Sequence, residues 1–165
     1  MSSTANVGAP GYGYTPEVND QIMIAPASAV AVGDIMAINF ATVAGSGDGA
    51  RWTTTKVPVA ADIQTASDVD TTGIFCVALT ACVSGGTFVA RFRGYCMAIV
   101  NGVGIALGDH LMADTNRDLV ETAGTGTSTI TKSIAIAMEA GTAAAVLRPV
   151  YFNGVEGVGV SSSVS

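Results

Sequence analysis

The sequence predicts an all-β protein: a small β-barrel, β-tulip or sandwich built from two similar Gly-Asp-turn strand units, with an extended N-terminal arm. Three observations carry this. Apolar runs rich in Val, Ile, Phe and Thr recur along the chain and are broken by Gly, Asp and Asn. Helix signals are weak; the Ala-rich stretch 135–147 has helical propensity, but Gly141-Thr142 splits it into halves too short for stable helices, so strand–turn–strand is expected. One segment, Val32-Gly33-Asp34-Ile35-Met36-Ala37-Ile38-Asn39, is echoed by Leu107-Gly108-Asp109-His110-Leu111-Met112-Ala113-Asp114.

Residues 1–21 are Gly/Ala/Tyr/Pro-rich, almost uncharged and without periodicity, which predicts an extended arm. Tyr12 and Tyr14 sit on its Gly-Tyr-Gly-Tyr stretch, where aromatic rings gain more by lying along a partner than by folding on the arm itself. A plain tail is the alternative. Residues 22–152 form the expected β domain. Its strands are Met36 to Ala41, Phe75 to Thr80, Phe88 to Arg93, Tyr95 to Ile99 after Gly94, Ile134 to Met138 and Ala144 to Tyr151. Residues 153–165 are a Gly/Ser/Val tail, expected to be flexible or to add to a neighbour as an irregular strand.

The two echoed segments share a tight Gly-Asp turn that feeds a strand. Gly permits positive φ, and Asp accepts from nearby backbone N–H groups. Each is followed by a polar stretch, an apolar strand, a turn, and a strand carrying an Arg and a terminal Tyr: Arg93 and Tyr95, then Arg148 and Tyr151. One unit alone is too small to bury a core, so the two are expected to pack together.

The chain has 165 residues with 7 Lys+Arg against 13 Asp+Glu, a net charge of −6. That argues against nucleic acid, whose phosphates need a dense basic surface. Only 12% of residues are charged, against roughly 25% in an ordinary domain. So little charge suggests that much of the surface is covered by something; a soluble monomer with a Ser/Thr/Gly-rich surface is the alternative. No stretch approaches the roughly 18 apolar residues of a membrane helix, and Met1 to Tyr14 lacks the basic and apolar regions of a secretory signal. The three cysteines, Cys76, Cys82 and Cys96, read as free thiols of a reduced compartment rather than a disulfide framework.

Residues for catalysis are scarce, so no enzyme and no cofactor is expected. His110 is the single histidine, and there is no Cys-x-x-Cys pair to complete a zinc site. Asp114-Thr115-Asn116-Arg117-Asp118 opens like a calcium loop, but Leu119 stands where Gly is required and Thr125 where Glu is required. A hairpin turn between strands 110–114 and 119–122 explains it better. Asp62, Asp68 and Asp70 belong to a polar loop that could hold a weak cation or be simply solvated. Gly45-Ser46-Gly47-Asp48-Gly49 lacks the Lys of a phosphate loop, and no Gly-x-Ser-x-Gly elbow occurs. Arg91 and Arg93, two apart on one expected strand, would project from one face with Val89. Arg51, Lys56, Arg91 and Arg93 concentrate four of the seven basic residues in 51–93. They could grip partner carboxylates, or pair across strands within the barrel.

The order Gly-Asp turn and strand, Gly-Ile-Phe-Cys-Val-Ala-Leu-Thr-Ala, Gly-Gly-Thr-Phe-Val-Ala-Arg-Phe-Arg-Gly, Gly-Asp-His-Leu-Met-Ala-Asp, then Ile-Ala-Ile-Ala-Met-Glu-Ala and Ala-Val-Leu-Arg-Pro-Val resembles the bacteriophage capsid cement (decoration) proteins, of the small all-β family long catalogued as a domain of unknown function. The resemblance covers residues 20–152; the polar insertion from Gly45 to Thr72 departs from it. It implies a homotrimer on the outer surface of an assembled capsid, made in the host cytoplasm and linking subunits of the major capsid protein. Tyr12, Tyr14, Arg91 and Arg93 are then the candidate contacts. The reading from another class is a β-barrel module for cell-surface carbohydrate. Sugar sites favour exposed aromatics, and Trp52 is the chain's one Trp.

Overall fold

The computed structural model describes residues 20–39, 54–59, 62–63, 73–121, 130–141, 143, 145–155 and 158–161. Tyr12, Tyr14, Arg51, Trp52, Asp68 and Asp70 lie outside them. The described elements are all strands: β1 (Asp20–Ile24), β2 (Ile35–Ile38), β3 (Thr55–Lys56), β4 (Phe75–Ala78), β5 (Thr87–Arg91), β6 (Arg93–Val100), β7 (His110–Ala113), β8 (Leu119–Glu121), β9 (Ile130–Ser133), β10 (Ala135–Ala137), β11 (Val146–Asn153) and β12 (Val158–Ser161). The all-β expectation holds, including strand–turn–strand across the Ala-rich 135–147 stretch. Asp20, inside the segment expected as arm, already pairs with Arg91. Within the expected tail, β12 pairs antiparallel with β9.

Two sheets carry the fold. One has the order β1-β5-β4-β2-β3; the other is a closed barrel, β10-β11-β6-β8-β7. The first curls towards closure through an isolated parallel bridge between Ile24 and Thr54. Their registers repeat. Ile35 pairs with Val77 and Met36 with Cys76 in the first; His110 pairs with Ile136 and Leu111 with Ala135 in the second. Val77 faces Arg91, which faces Asp20; Ile136 faces Tyr151, which faces Tyr95. The strands therefore correspond as β1 to β6, β2 to β7, β3 to β8, β4 to β10 and β5 to β11.

The Gly-Asp turns are the same device twice. Gly33 and Gly108 have φ of 88° and 92°. The Asp34 Oδ2 accepts from the Ala31 N–H at 2.9 Å and the Asp109 Oδ2 from the Ala106 N–H at 2.7 Å. Gly33 N–H donates to Ala78 O as Gly108 N–H donates to Ala137 O. Each turn thus starts its strand beside the strand that follows the polar stretch.

The interiors also correspond. Met23, Ala25, Val30, Met36, Ile38, Cys76, Ala78, Phe88 and Ala90 fill the first barrel. Ala98, Val100, Ile105, Leu111, Ala113, Ala135, Ala137, Arg148 and Val150 take the matching places in the second, all buried. The filling changes most at three matched places: Met23 and Ile38 become Ala98 and Ala113, and Phe88 becomes Arg148. The Arg148 guanidinium crosses the space a side chain at Gly141 would need, and its Nη1 donates to Ala140 O at 3.0 Å.

The expected equivalence of Arg93 and Tyr95 with Arg148 and Tyr151 is corrected by this register. Tyr151 matches Arg91, and Arg148 matches Phe88. Tyr95 and Tyr151 are instead neighbours in adjacent strands.

Candidate functional site

The outward faces of the two barrels differ. In the first repeat Ile35, Ala37, Phe75 and Val77 point away from their own barrel, yet all are at most 2% exposed. They join one cluster with the interior of the second barrel. The second repeat seals them. Ile99 N–H donates to Gly33 O, Arg117 O accepts from Ile35 N–H, and Gly154 O accepts from Phe75 N–H. Arg117 adds Nη1 to Ala29 O at 2.6 Å and Nη2 to Ser28 Oγ at 2.8 Å.

The matching face of the second barrel is less covered among the described residues: Ile134, which matches Phe75, is 2% exposed, but His110, Met112 and Ile136 are half-buried. One row runs across four strands: His110, Ile136, Tyr151, Tyr95. His110, Ile136 and Tyr151 are half-buried, and Tyr95 is 62% exposed. The two tyrosine rings meet edge-to-face, centroids 5.0 Å apart at 75°. Pro149 and Met97 pair in the next row, beside the exposed Met138, whose N–H donates to Pro149 O. The His110 Nδ1 lies 3.0 Å from the Ser133 Oγ, at the edge of the face. Chemically this is an apolar, aromatic and thioether-rich sheet face. It suits a protein surface, since Tyr and Met are enriched at interfaces and Met adapts to irregular partners.

The sequence does not single out Tyr95 and Tyr151 as a site. The available signal is that Tyr95, Met97 and Ile99 are apolar on the same strand as Cys96, Ala98 and Val100, so one face has to be covered by something other than its own barrel.

Arg91 and Arg93 do not share a face. The strand breaks at Phe92, where the chain passes from the first sheet to the second, and not at Gly94, which lies within β6. Arg91 is buried and grips Asp20 with two bonds, Nε to Oδ1 at 2.8 Å and Nη2 to Oδ2 at 2.9 Å; its Nη1 also donates to Tyr95 O. This is the cross-strand pairing weighed for it above. Arg93 is exposed.

The remaining chemistry is structural. The Asp114 segment is a β7–β8 hairpin turn, with Asp114 Oδ1 accepting from Thr115 N–H at 2.7 Å. Asp62 pairs with Lys56 at 2.6 Å. Cys76, Cys82 and Cys96 form no disulfide, and burial pushes the Cys76 thiol far above its ordinary value. Burial likewise raises the Asp118 carboxyl, aided by the Asp114 charge and opposed by the bond from Asn101. Among the described residues, no cluster of three or more His, Cys, Asp or Glu is close enough to hold a metal.

No protein-family model matches the chain, and no curated protein matches it. Among solved structures it is similar to the N base of head fiber gp8.5 in bacteriophage phi29: 17% identity, a TM-score of 0.49, covering 82% of this chain and 94% of that one.

Proposed function

We propose that the chain is a structural, non-catalytic virion protein. In this reading it sits on the outer surface of an assembled phage capsid as a trimer and stabilises the shell by linking major capsid protein subunits. The observation that carries the reading is a face on which Tyr95 and Met138 are exposed and Tyr151, Ile136 and Met97 half-buried among the described residues, on a protein with little charge. Such a face is stabilised by burial against another protein, at roughly 25 cal/mol per Å² of apolar area. The cement-protein resemblance of residues 20–152 supports the kind of partner. A ligand that binds only the assembled shell stabilises it by mass action, and symmetric copies add avidity. Arg93 is an exposed candidate contact beside this face; Arg91 reaches a partner only by leaving Asp20.

The test is co-sedimentation of the purified chain with shells of the phage that encodes it, with negative-stain images of particles with and without it. Wild type is expected to decorate the shells and raise their disruption temperature; Tyr95→Asp with Met97→Asp is expected to abolish decoration while circular dichroism stays native. Shells that never bind the wild-type chain would overturn the reading. The exposed tyrosine pair favours one second reading, a glycan module, which requires saturable sugar binding lost in Tyr95→Ala.

A further inference from the structure

The two repeats differ in what fills the space above their Gly-Asp turns. A Cβ at Gly33 would overlap the Leu147 side chain and lie 3.1 Å from Ile99. The second repeat therefore grips the first through β6 and β11, directly over this turn. Above Gly108, the matching glycine, nothing among the described residues lies within 4 Å of a Cβ. Leu107, its neighbour in the turn, is 67% exposed.

The gripping surface has a counterpart too. By the strand correspondence, Ile24 of β1 matches Ile99, Ile22 matches Met97, and Thr87 matches Leu147. In this chain that counterpart grips nothing apolar: Ile22 is 68% and Ile24 38% exposed. One molecule thus carries a used seat with a used grip, and an open seat with an unused grip.

We infer that the Leu107–Gly108 turn is the seat for Ile22 and Ile24 of a second copy of this chain. The contact repeats between molecules the packing that joins the two repeats within one. It is heterologous, because the two partners use different surfaces, and such contacts close into rings or run on as filaments. The inference deepens the trimer reading above and rests on it: three copies closed by this contact alternate three curled first sheets with three closed barrels in one ring.

The complementation of two defective variants tests it. Ile22→Asp removes the grip and leaves the seat; Leu107→Asp removes the seat and leaves the grip. Both residues are exposed, and Ile22→Ser and Leu107→Ser serve if either Asp variant loses its native circular dichroism. Wild type is expected to run at three times the 16.5 kDa subunit mass in light scattering at micromolar concentration. Each variant alone is expected to be a monomer. An equimolar mixture is expected to give a dimer and no trimer, since one intact grip meets one intact seat and the ring cannot close. A wild-type trimer unaffected by either change overturns this contact and leaves the trimer reading standing. So does a mixture that stays monomeric. A wild-type chain that is monomeric both free and on shells overturns the trimer reading and this contact together.

Discussion

The first barrel and the second are one architecture filled twice, and they differ most where a neighbour takes over. Asp20 and Arg91 occupy in the first repeat the places that Tyr95 and Tyr151 occupy in the second. The ion pair is almost wholly desolvated, with side chains 8% and 2% exposed, because the second repeat begins immediately beyond it. The tyrosine pair at the matching place faces outward. A buried pair locks an internal joint; an exposed aromatic pair suits a surface still to be covered. The same contrast holds for Ile35 and Val77 against His110 and Ile136, and for the occupied turn at Gly33 against the open one at Gly108.

Removing one partner from each pair should show the largest difference. Asp20→Ala leaves the Arg91 guanidinium buried without its carboxylate, and breaking a buried pair in this way costs about 3–5 kcal/mol. Tyr95→Ala loses an edge-to-face contact at an exposed position, about 1 kcal/mol. Urea denaturation of both variants checks this. Equal losses would mean that the two places are not distinguished by burial.

The two turn glycines should differ next. An Ala at either position suffers the left-handed φ, about 1–2 kcal/mol. At Gly33 the new methyl must also displace Leu147, and overpacking adds about 1–3 kcal/mol. Gly33→Ala should therefore melt at the lower temperature of the two variants. If Gly108→Ala were the less stable as a monomer, the open-seat geometry would be wrong.

Thiol labelling separates the interiors. Cys76 lies inside the first barrel with its thiol held neutral by burial, whereas Cys82 and Cys96 are half-buried. Thiolate is the reacting form, so Cys76 should label at least about a hundredfold more slowly than Cys82 under native conditions. Mass spectrometry of timed, alkylated samples reads the order, and early modification of Cys76 would show that the first barrel opens readily.

What was legible in the sequence follows from this contrast. The Gly-Asp turns were readable because their backbone needs a residue tolerant of positive φ followed by a short carboxylate. The strands were readable because Val, Ile and Phe recur between turn residues. The finer correspondence was hidden, because matched places share burial without sharing chemistry: Phe88 answers to Arg148, and Arg91 to Tyr151. Aligning Arg with Arg and Tyr with Tyr was the natural sequence choice, and register overrules it. The covered outer face was hidden for another reason. Ile35-Met36-Ala37-Ile38 is apolar on both sides, so alternation cannot say which side meets its own barrel and which meets the second repeat. Nor does spacing alone show that a strand breaks at Phe92 and parts Arg91 from Arg93.

The smallest expected effect concerns one more matched pair, Thr54 and Asp118. Asn39 N–H donates to Thr54 O as Asp114 N–H donates to Asp118 O, which fixes the match. Both side chains hold a buried oxygen without a hydrogen-bond partner, the Thr54 Oγ1 and the Asp118 Oδ1. The second repeat places a carboxyl there, and burial raises its pKa in the folded state above the ordinary 3.8. The sign follows. Below 3.8 the carboxyl is protonated whether the chain is folded or unfolded, and the site carries no ionisation penalty. As pH rises through 3.8 towards the raised folded value, the unfolded chain releases its proton more readily than the folded one, and stability falls until both forms are ionised. Asp118→Thr, which borrows the residue of the first repeat, removes that slope. The variant should therefore gain stability relative to wild type between about pH 3 and pH 7, a modest gain because the bond from Asn101 offsets part of the burial. The measurement is the difference in urea midpoint between the two proteins across that range, where the other carboxylates cancel. A difference that stays flat with pH would mean that Asp118 ionises in the fold as freely as in water, and that the bond from Asn101 offsets its burial.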